Sequence, residues 1–400
     1  MSAGQVHDLF VGSMNFEEKF DLFIPGPTPI PPRVVRAMSR PIINHRGSEF
    51  HKVFKNITEK AKELLKTSGD AIILTSSGTG GMEAAASNLL SPGDHVLVGV
   101  AGAFGERYAK ILEAYHVNVT RIRSSEPGKA VDPAHFEEEL KRDPKIKAVF
   151  VTQNETSTGV RTDVRSIARI AKEHGALVIV DAISSFAAME LSMDDWGVDV
   201  VIAASQKALM TPPGLAVVGV SKDAWKAMES ATLPRFYFDL RLAKRSAEKW
   251  ETPATPAVSL LFGLDEALSI IFEQGPENFI KHHEVLSQMA RSGVAALGFP
   301  LLAQDDCAST TVTAVKGLEG MSADEFRRQV RKYEVVLAGG QGELSGKIFR
   351  LAHLGYISQM DIIKAISAIE LALADMGHPV KFGSGVAAAM SAMRGKQVGE

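Results

Sequence analysis

The chain has 400 residues, with 44 Lys and Arg against 47 Asp and Glu, a formal net charge of −3 and 45% hydrophobic residues. That balance offers no basic face to nucleic acid or to an acidic membrane, and no apolar run approaches the roughly 18 residues of a membrane helix. The length suits one large domain plus a small one, and the single cysteine, Cys307, excludes an intrachain disulfide and a thiolate metal cluster; no metal is expected.

The first twenty residues include Asp8, Glu17 and Glu18 and lack the basic and apolar regions of a signal peptide. Val398-Gly399-Glu400 is not a peroxisomal address, so the expected location is cytoplasmic. Residues 1–22 should form an arm that wraps onto the small domain or a partner subunit. Apolar β-type runs then alternate with helical patterns. Strands are predicted over 71–75, 95–100, 117–121, 148–152, 177–181, 200–204 and 215–220, and helices over 49–65, 81–90, 106–115, 133–142, 164–174 and 256–272. This alternation predicts an α/β fold: a large domain, 23–272, around a mainly parallel seven-stranded sheet. The connection from 200–204 to 215–220 is too short for a right-handed crossover, so one of those strands should run antiparallel. Residues 273–378 read as a small C-terminal α+β domain, with helices 277–297, 322–332 and 358–376 and strands 309–315, 335–338 and 348–351. Residues 379–400 are rich in Gly, Ser and Ala and read as a flexible tail.

Three segments carry chemistry. Residues 72–86 read as a strand, the turn Thr75-Ser76-Ser77-Gly78-Thr79-Gly80-Gly81, and an Ala-rich helix. Amides at a helix N-terminus bind phosphate, and glycines let it approach. The pattern is neither a dinucleotide fingerprint nor a nucleotide-binding P-loop. Residues 177–181 form an apolar run ending in Asp181; a buried carboxylate there needs a partner, such as the pyridinium of pyridoxal phosphate, a helix N-terminus or a metal. Lys207 follows the run 200–204 on a tight connection, where open α/β sheets place their chemistry. It reads either as a surface lysine or as a half-buried amine of lowered pKa able to form an imine with an aldehyde cofactor. Phosphate cradle, Asp and Lys in that order favour the second reading.

Together these segments resemble the fold-type I pyridoxal phosphate enzymes. Within them the chain is most similar to the class V aminotransferases of the alanine–glyoxylate and serine–pyruvate (serine–glyoxylate) branch. The resemblance runs from about Phe23 to about Gly377. It is carried by Pro25-Gly26-Pro27-Thr28, His45-Arg46-Gly47-Ser48-Glu49-Phe50, Ser77-Gly78-Thr79-Gly80, Gly102-Ala103-Phe104-Gly105-Glu106-Arg107, Asn154-Glu155-Thr156-Ser157-Thr158-Gly159, Asp181-Ala182, Ser205-Gln206-Lys207 and Phe349-Arg350-Leu351-Ala352-His353-Leu354-Gly355.

The resemblance implies a ping-pong transamination between a small amino acid, alanine or serine, and a 2-oxo acid, glyoxylate or pyruvate. Lys207 would bond pyridoxal 5′-phosphate and then move a proton from the substrate's Cα, as base and then acid. Asp181 would pair with the pyridine nitrogen, between Phe104 over one ring face and Ile183 on the other. Ser77, Gly78, Thr79 and Gln206 would hold the phosphate, and Thr156 the phenolic oxygen. Arg350, expected at the end of a strand, would grip the substrate α-carboxylate with its planar guanidinium, under a turn containing Gly26. Thr255, in Thr252-Pro253-Ala254-Thr255-Pro256, would reach the phosphate of a neighbouring subunit, which implies a homodimer with shared sites. The family tyrosine at this phosphate has no counterpart in that segment, the nearest being Tyr237. His45 and His353 read as structural.

Three other readings are weighed. A class V aminotransferase for aspartate, ureidoglycine or an aminophosphonate would keep the same site; a dicarboxylate would want a second cation. A cysteine desulfurase would need Cys307 on a mobile loop, which its surroundings do not suggest. A non-enzymatic scaffold or hydrogenase-associated subunit would have no use for Lys207, Asp181 and Arg350 together.

Overall fold

The protein is described here by a computed structural model covering residues 20–395. In chain order the first part comprises β1 (Asp21–Phe23), α1 (Pro32–Met38), α2 (Ser48–Leu65), β2 (Asp70–Thr75), α3 (Gly78–Leu89), β3 (His95–Val100), α4 (Ala103–Ala114), β4 (Asn118–Arg123), α5 (Pro133–Arg142), β5 (Ile146–Thr152), the hairpin β6 (Asn154–Glu155) and β7 (Val160–Arg161), α6 (Val164–Glu173), β8 (Leu177–Asp181), α7 (Met193–Trp196), β9 (Val200–Ala204) and β10 (Leu215–Val220). Then follow α8 (Lys222–Met228), α9 (Leu240–Ala247), α10 (Val258–Gln274), α11 (Pro276–Ala296), β11 (Val312–Lys316), α12 (Ala323–Arg331), β12 (Val335–Gly339), β13 (Ile348–Ala352), α13 (Gln359–Asp375) and α14 (Ser384–Met393).

Seven strands form one sheet in the order β2-β10-β9-β8-β5-β3-β4. All neighbours are parallel except β10, which runs antiparallel to both β2 and β9. The short β9–β10 connection therefore does what its length requires. The inner strands are largely Val, Ile, Leu and Ala because helices cover both faces, whereas the edge strand β4 carries Asn118, Arg121 and Arg123. One core layer joins Phe50, Val149, Val180, Val201 and Phe262, and the opposite layer joins Met82, Val98, Tyr108, Phe150, Ile179 and Ile202. A second sheet, β1-β12-β13-β11, packs on α11 to α13 through Phe299, Phe326, Phe349 and Ile366. No helix of the described residues is long and apolar enough to cross a membrane.

The expected arm over 1–22 lies outside the described residues except for its last three, of which Asp21 and Leu22 open β1, parallel to β12. Within the stretch read as a flexible tail, residues Ser384–Met393 instead form a helix, α14. Its small residues permit close packing rather than looseness: a Cβ on Gly385 would stand 2.9 Å from the Gly293 carbonyl oxygen of α11. The α14 N-terminus is held by the carboxylate of Glu370, which accepts from the amides of Gly383, Gly385 and Val386 at 2.8, 2.8 and 3.2 Å.

Candidate active site

β2, β9, β8, β5 and β3 all point their C-terminal ends to the same edge of the large sheet, which gathers side chains far apart in sequence. The cradle follows β2, Lys207 follows β9, Asp181 ends β8, Thr156 follows β5 and Phe104 follows β3. Two helices start earlier than predicted, α3 at Gly78 and α4 at Ala103. Gly78, Thr79 and Phe104 thus lie in first helical turns, where amides are unpaired by helix geometry.

Asp181 is buried at 3% exposure. Its Oδ1 accepts from the Ile183 amide at 2.9 Å, and its Oδ2 is 3.5 Å from the Thr152 hydroxyl. Burial pushes its carboxyl up to about 6, against the Ile183 hydrogen bond, with the negative charge of Glu155 adding to the rise. Burial lowers Lys207 to about 8; Asp181 opposes this, and the cations Arg350 and Arg107 add to it. The Lys207 amine donates to the carbonyl oxygen of Pro25. Gly26, at φ +128°, lies flush against it: a Cβ there would sit 2.7 Å from Nζ. The turn 25–28 is tied to the lysine loop by Thr28, whose amide donates to Gln206 O at 3.2 Å and whose hydroxyl donates to Lys207 O at 3.0 Å.

Ser77 caps α3, its Oγ accepting from the Gly80 amide at 3.4 Å. The amides of Gly78 and Thr79 have no acceptor among the described residues. A Cβ on Gly78 would stand 2.6 Å from Ile183 Cδ1, so the cradle packs directly on the residue after the Asp181 strand. The side-chain Oε1 of Gln206 is buried with no partner. Two free N–H groups and a flush glycine fit the phosphate end of a pyridoxal phosphate beside a buried acid and a deprotonatable amine.

Arg350 stands at the centre of β13 rather than at a strand end, opposite Ala338 of β12 and Ala314 of β11. It is 5% exposed, and two backbone carbonyls fix its guanidinium: Nε donates to Gly339 O and Nη1 to Thr156 O, both at 2.8 Å. Burial lowers it to about 10, and no carboxylate forms an ion pair with it among the described residues. It is a buried cation that only the more distant charge of Glu155 supports among the described residues. The Thr156 hydroxyl makes no hydrogen bond among the described residues. Phe104 is half-buried, with the Arg107 guanidinium 4.7 Å over its ring.

Thr255 is not brought to the others within one chain. It is exposed, on the rim of a cavity lined also by Leu74, Thr75, Phe236, Tyr237 and Thr252. Tyr237 is folded to this place although distant in sequence, its hydroxyl donating to Thr75 O at 3.1 Å. His353 is fully buried between the Thr313 hydroxyl and Thr310 O, both at 3.0 Å. One residue outside the expected set stands out. Glu155, in a turn-like stretch, is fully buried and accepts four hydrogen bonds. The segment Asn154-Glu155-Thr156-Ser157-Thr158-Gly159 carries the resemblance but does not disclose these partners.

Comparison with known proteins agrees with this geometry. The family described as aminotransferase class-V matches residues 22–352. The chain is similar to a protein named soluble hydrogenase, small subunit, of Synechococcus (44% identical, covering 93% of this chain and 98% of that one). It is also similar to the L-aspartate–glyoxylate aminotransferase of Paracoccus denitrificans and the serine–glyoxylate aminotransferase of Methylorubrum extorquens, each 38% identical over 93% of this chain and 96% of the relative. Among solved structures, pyridoxamine-pyruvate aminotransferase of Mesorhizobium loti superposes with a TM-score of 0.90 at 30% identity, covering 96% of this chain and 100% of that one.

Proposed function

Because the chain belongs to the class-V aminotransferases, fold-type I enzymes that depend on pyridoxal phosphate, we propose that it moves an amino group from alanine or serine to glyoxylate or pyruvate by a ping-pong mechanism. The observation that carries this reading is the buried guanidinium of Arg350, which has no ion-paired carboxylate among the described residues and reaches from the small sheet to Thr156 O, on the edge of the large sheet that carries Lys207 and Asp181. Every amino acid and 2-oxo acid brings the α-carboxylate that such a cation needs.

When bound, pyridoxal phosphate supplies an electron sink for the negative charge left at the substrate's Cα. Asp181 would hold a proton on the pyridine nitrogen; its raised pKa expresses the cost of a buried charge that this pairing would offset. Ser77, Gly78, Thr79 and Gln206 would hold the phosphate, and Thr156 would meet the phenolic oxygen. Phe104 and Ile183 confine the ring. Lys207 is the amine that would hold the cofactor, and its freed amine would take the proton from the substrate's Cα and deliver it to the cofactor's C4′ carbon. An amine of pKa about 8 is suited to both directions near neutral pH. Arg350 orients the substrate, and the Gly26 turn covers Lys207.

Two copies complete the site in this reading. Thr255 is exposed beside Phe236 and Tyr237, at 87% and 56% exposure, an apolar patch that a second copy would cover. Thr255 then reaches the partner's phosphate.

A second reading has a specific observation behind it. The relative acting on L-aspartate is as similar as the one acting on serine, so a dicarboxylate donor is the alternative. The test loads the enzyme with cofactor and follows its conversion to the pyridoxamine form with alanine, serine and aspartate in turn. Fast conversion by alanine or serine supports the proposal; conversion by aspartate alone replaces it with the alternative.

A further inference from the structure

The loop between β6 and β7 does more than connect strands. The Glu155 carboxylate lies against the N-terminus of α4, with Oε2 accepting from the amides of Phe104 at 3.0 Å and Gly105 at 3.1 Å. Its Oε1 accepts from the Ser157 amide at 3.1 Å and from the Ser157 hydroxyl, whose oxygen in turn accepts from the Ala103 amide at 2.9 Å. Three consecutive amides at the start of α4 are thus satisfied from outside the helix, two by a carboxylate where the helix dipole favours one and one by the Ser157 hydroxyl. Between Glu155 and Ser157 stands Thr156, whose carbonyl receives Arg350 Nη1. The same hairpin reaches the small sheet: Asn154 donates to the Thr311 hydroxyl at 2.8 Å, and the Ser309 amide donates to Gly159 O at 2.9 Å.

We propose that Glu155 is a positioning residue that couples the helix presenting Phe104 to the strand presenting Arg350, so that cofactor stacking and carboxylate binding are set by one buried side chain. The inference rests on the roles proposed above for Phe104 and Arg350. Gly102 belongs to the same device. A Cβ there would stand 2.7 Å from Glu155 Cδ and 2.3 Å from Ser157 Oγ, so only glycine leaves the carboxylate its place. The charge of Glu155 also bears on both ends of the site. It raises the pKa of Arg350 and of Asp181, while burial raises its own against the four donors.

Glu155→Gln keeps the shape but turns an NH2 group toward the Ser157 donors or toward α4, leaving at least one buried amide unsatisfied. Gly102→Ala displaces the carboxylate without altering it. In holoenzyme of each variant, three quantities should change together: the pyridoxal phosphate dissociation constant, the visible circular dichroism of the bound cofactor, and KM for both amino donor and oxo acceptor. The dissociation constant and both KM values should rise about ten- to a hundredfold, the size of one charge-assisted hydrogen bond. A merely structural role would lower the melting temperature and leave cofactor dichroism, cofactor affinity and KM at wild-type values; that result in either folded variant overturns the proposal. A failure of Glu155→Gln to fold leaves Gly102→Ala to decide. A wild type that binds no pyridoxal phosphate would defeat the functional reading itself, whereas a binding wild type matched by its variants defeats only this inference.

Discussion

Gly26 and Lys207 touch so closely that a Cβ on Gly26 would sit 2.7 Å from the lysine Nζ and 2.9 Å from Cδ and Cε. The glycine also has φ +128°, a conformation L side chains rarely adopt. Gly26→Ala should therefore cost about 1–3 kcal/mol of strain and push the amine from its place. The expected result is a lowered melting temperature together with weaker visible absorbance after incubation with pyridoxal phosphate. A variant that loads like wild type would show that the lysine does not act from this position.

The reactivity of Lys207 should have a pH signature. Imine formation needs the uncharged amine, and burial lowers its pKa to about 8. At pH 7 roughly a tenth of the amine is uncharged. Loading of cofactor-free protein should then speed up about tenfold per pH unit below 8 and level off above it. Stopped-flow absorbance between pH 6 and 10 reads this directly. A rate still climbing beyond pH 9 would indicate an ordinary solvated lysine.

His283 and His353 should make the fold acid-sensitive. Both are fully buried and neutral: His283 accepts the Gly355 amide at Nε2, and burial lowers it to about 4 and His353 to about 3. Unfolding frees them to bind protons below their ordinary value of 6.5. The unfolded state thus holds more protons, and stability falls, as pH drops from 6.5 through 4. A depression of this size is worth on the order of 3 kcal/mol per histidine. Urea unfolding midpoints at pH 7 and pH 5 measure it. His283→Asn should flatten the dependence, and an unchanged slope would contradict the assignment.

Arg350→Ala should damage both halves of the reaction alike, since donor and acceptor take turns at one carboxylate anchor. Truncating one partner of a desolvated charged pair costs about 2–5 kcal/mol, or roughly 30- to several-thousand-fold in kcat/KM. The absorbance of bound cofactor should persist. Damage to one half-reaction alone would assign Arg350 a different role.

Much of this was legible because parallel strands buried on both faces are written as unbroken apolar runs. A polar residue at the end of such a run, as with Asp181 and Lys207, is conspicuous. The runs also disclosed the antiparallel β10 through the shortness of its connection. The starts of α3 and α4 were not legible: Gly78 read as turn and Gly102-Ala103 lay outside the predicted helix, because glycine disfavours helix interiors while a first turn tolerates it. The helix α14 was hidden by small residues whose value lies in close packing against Gly293. Arg350 was found by motif but misplaced along its strand, since the run's boundary is weakly marked. Glu155 lay inside a motif that carries the resemblance, but nothing in the motif gave it a role. Its importance depends on Phe104, Gly105 and Ser157 converging on it, which is tertiary information.

The central claim is that Lys207 makes this chain an aminotransferase for small amino acids, and a half-reaction pair tests it most directly. Cofactor-loaded wild type and Lys207→Ala are each mixed with alanine or serine, then with glyoxylate or pyruvate, while the cofactor absorbance is followed. The wild type should convert to the pyridoxamine form and be restored by the oxo acid, and Lys207→Ala should do neither at a comparable rate. A wild type unchanged by any amino acid, or a Lys207→Ala protein that cycles as well as wild type, would contradict the account.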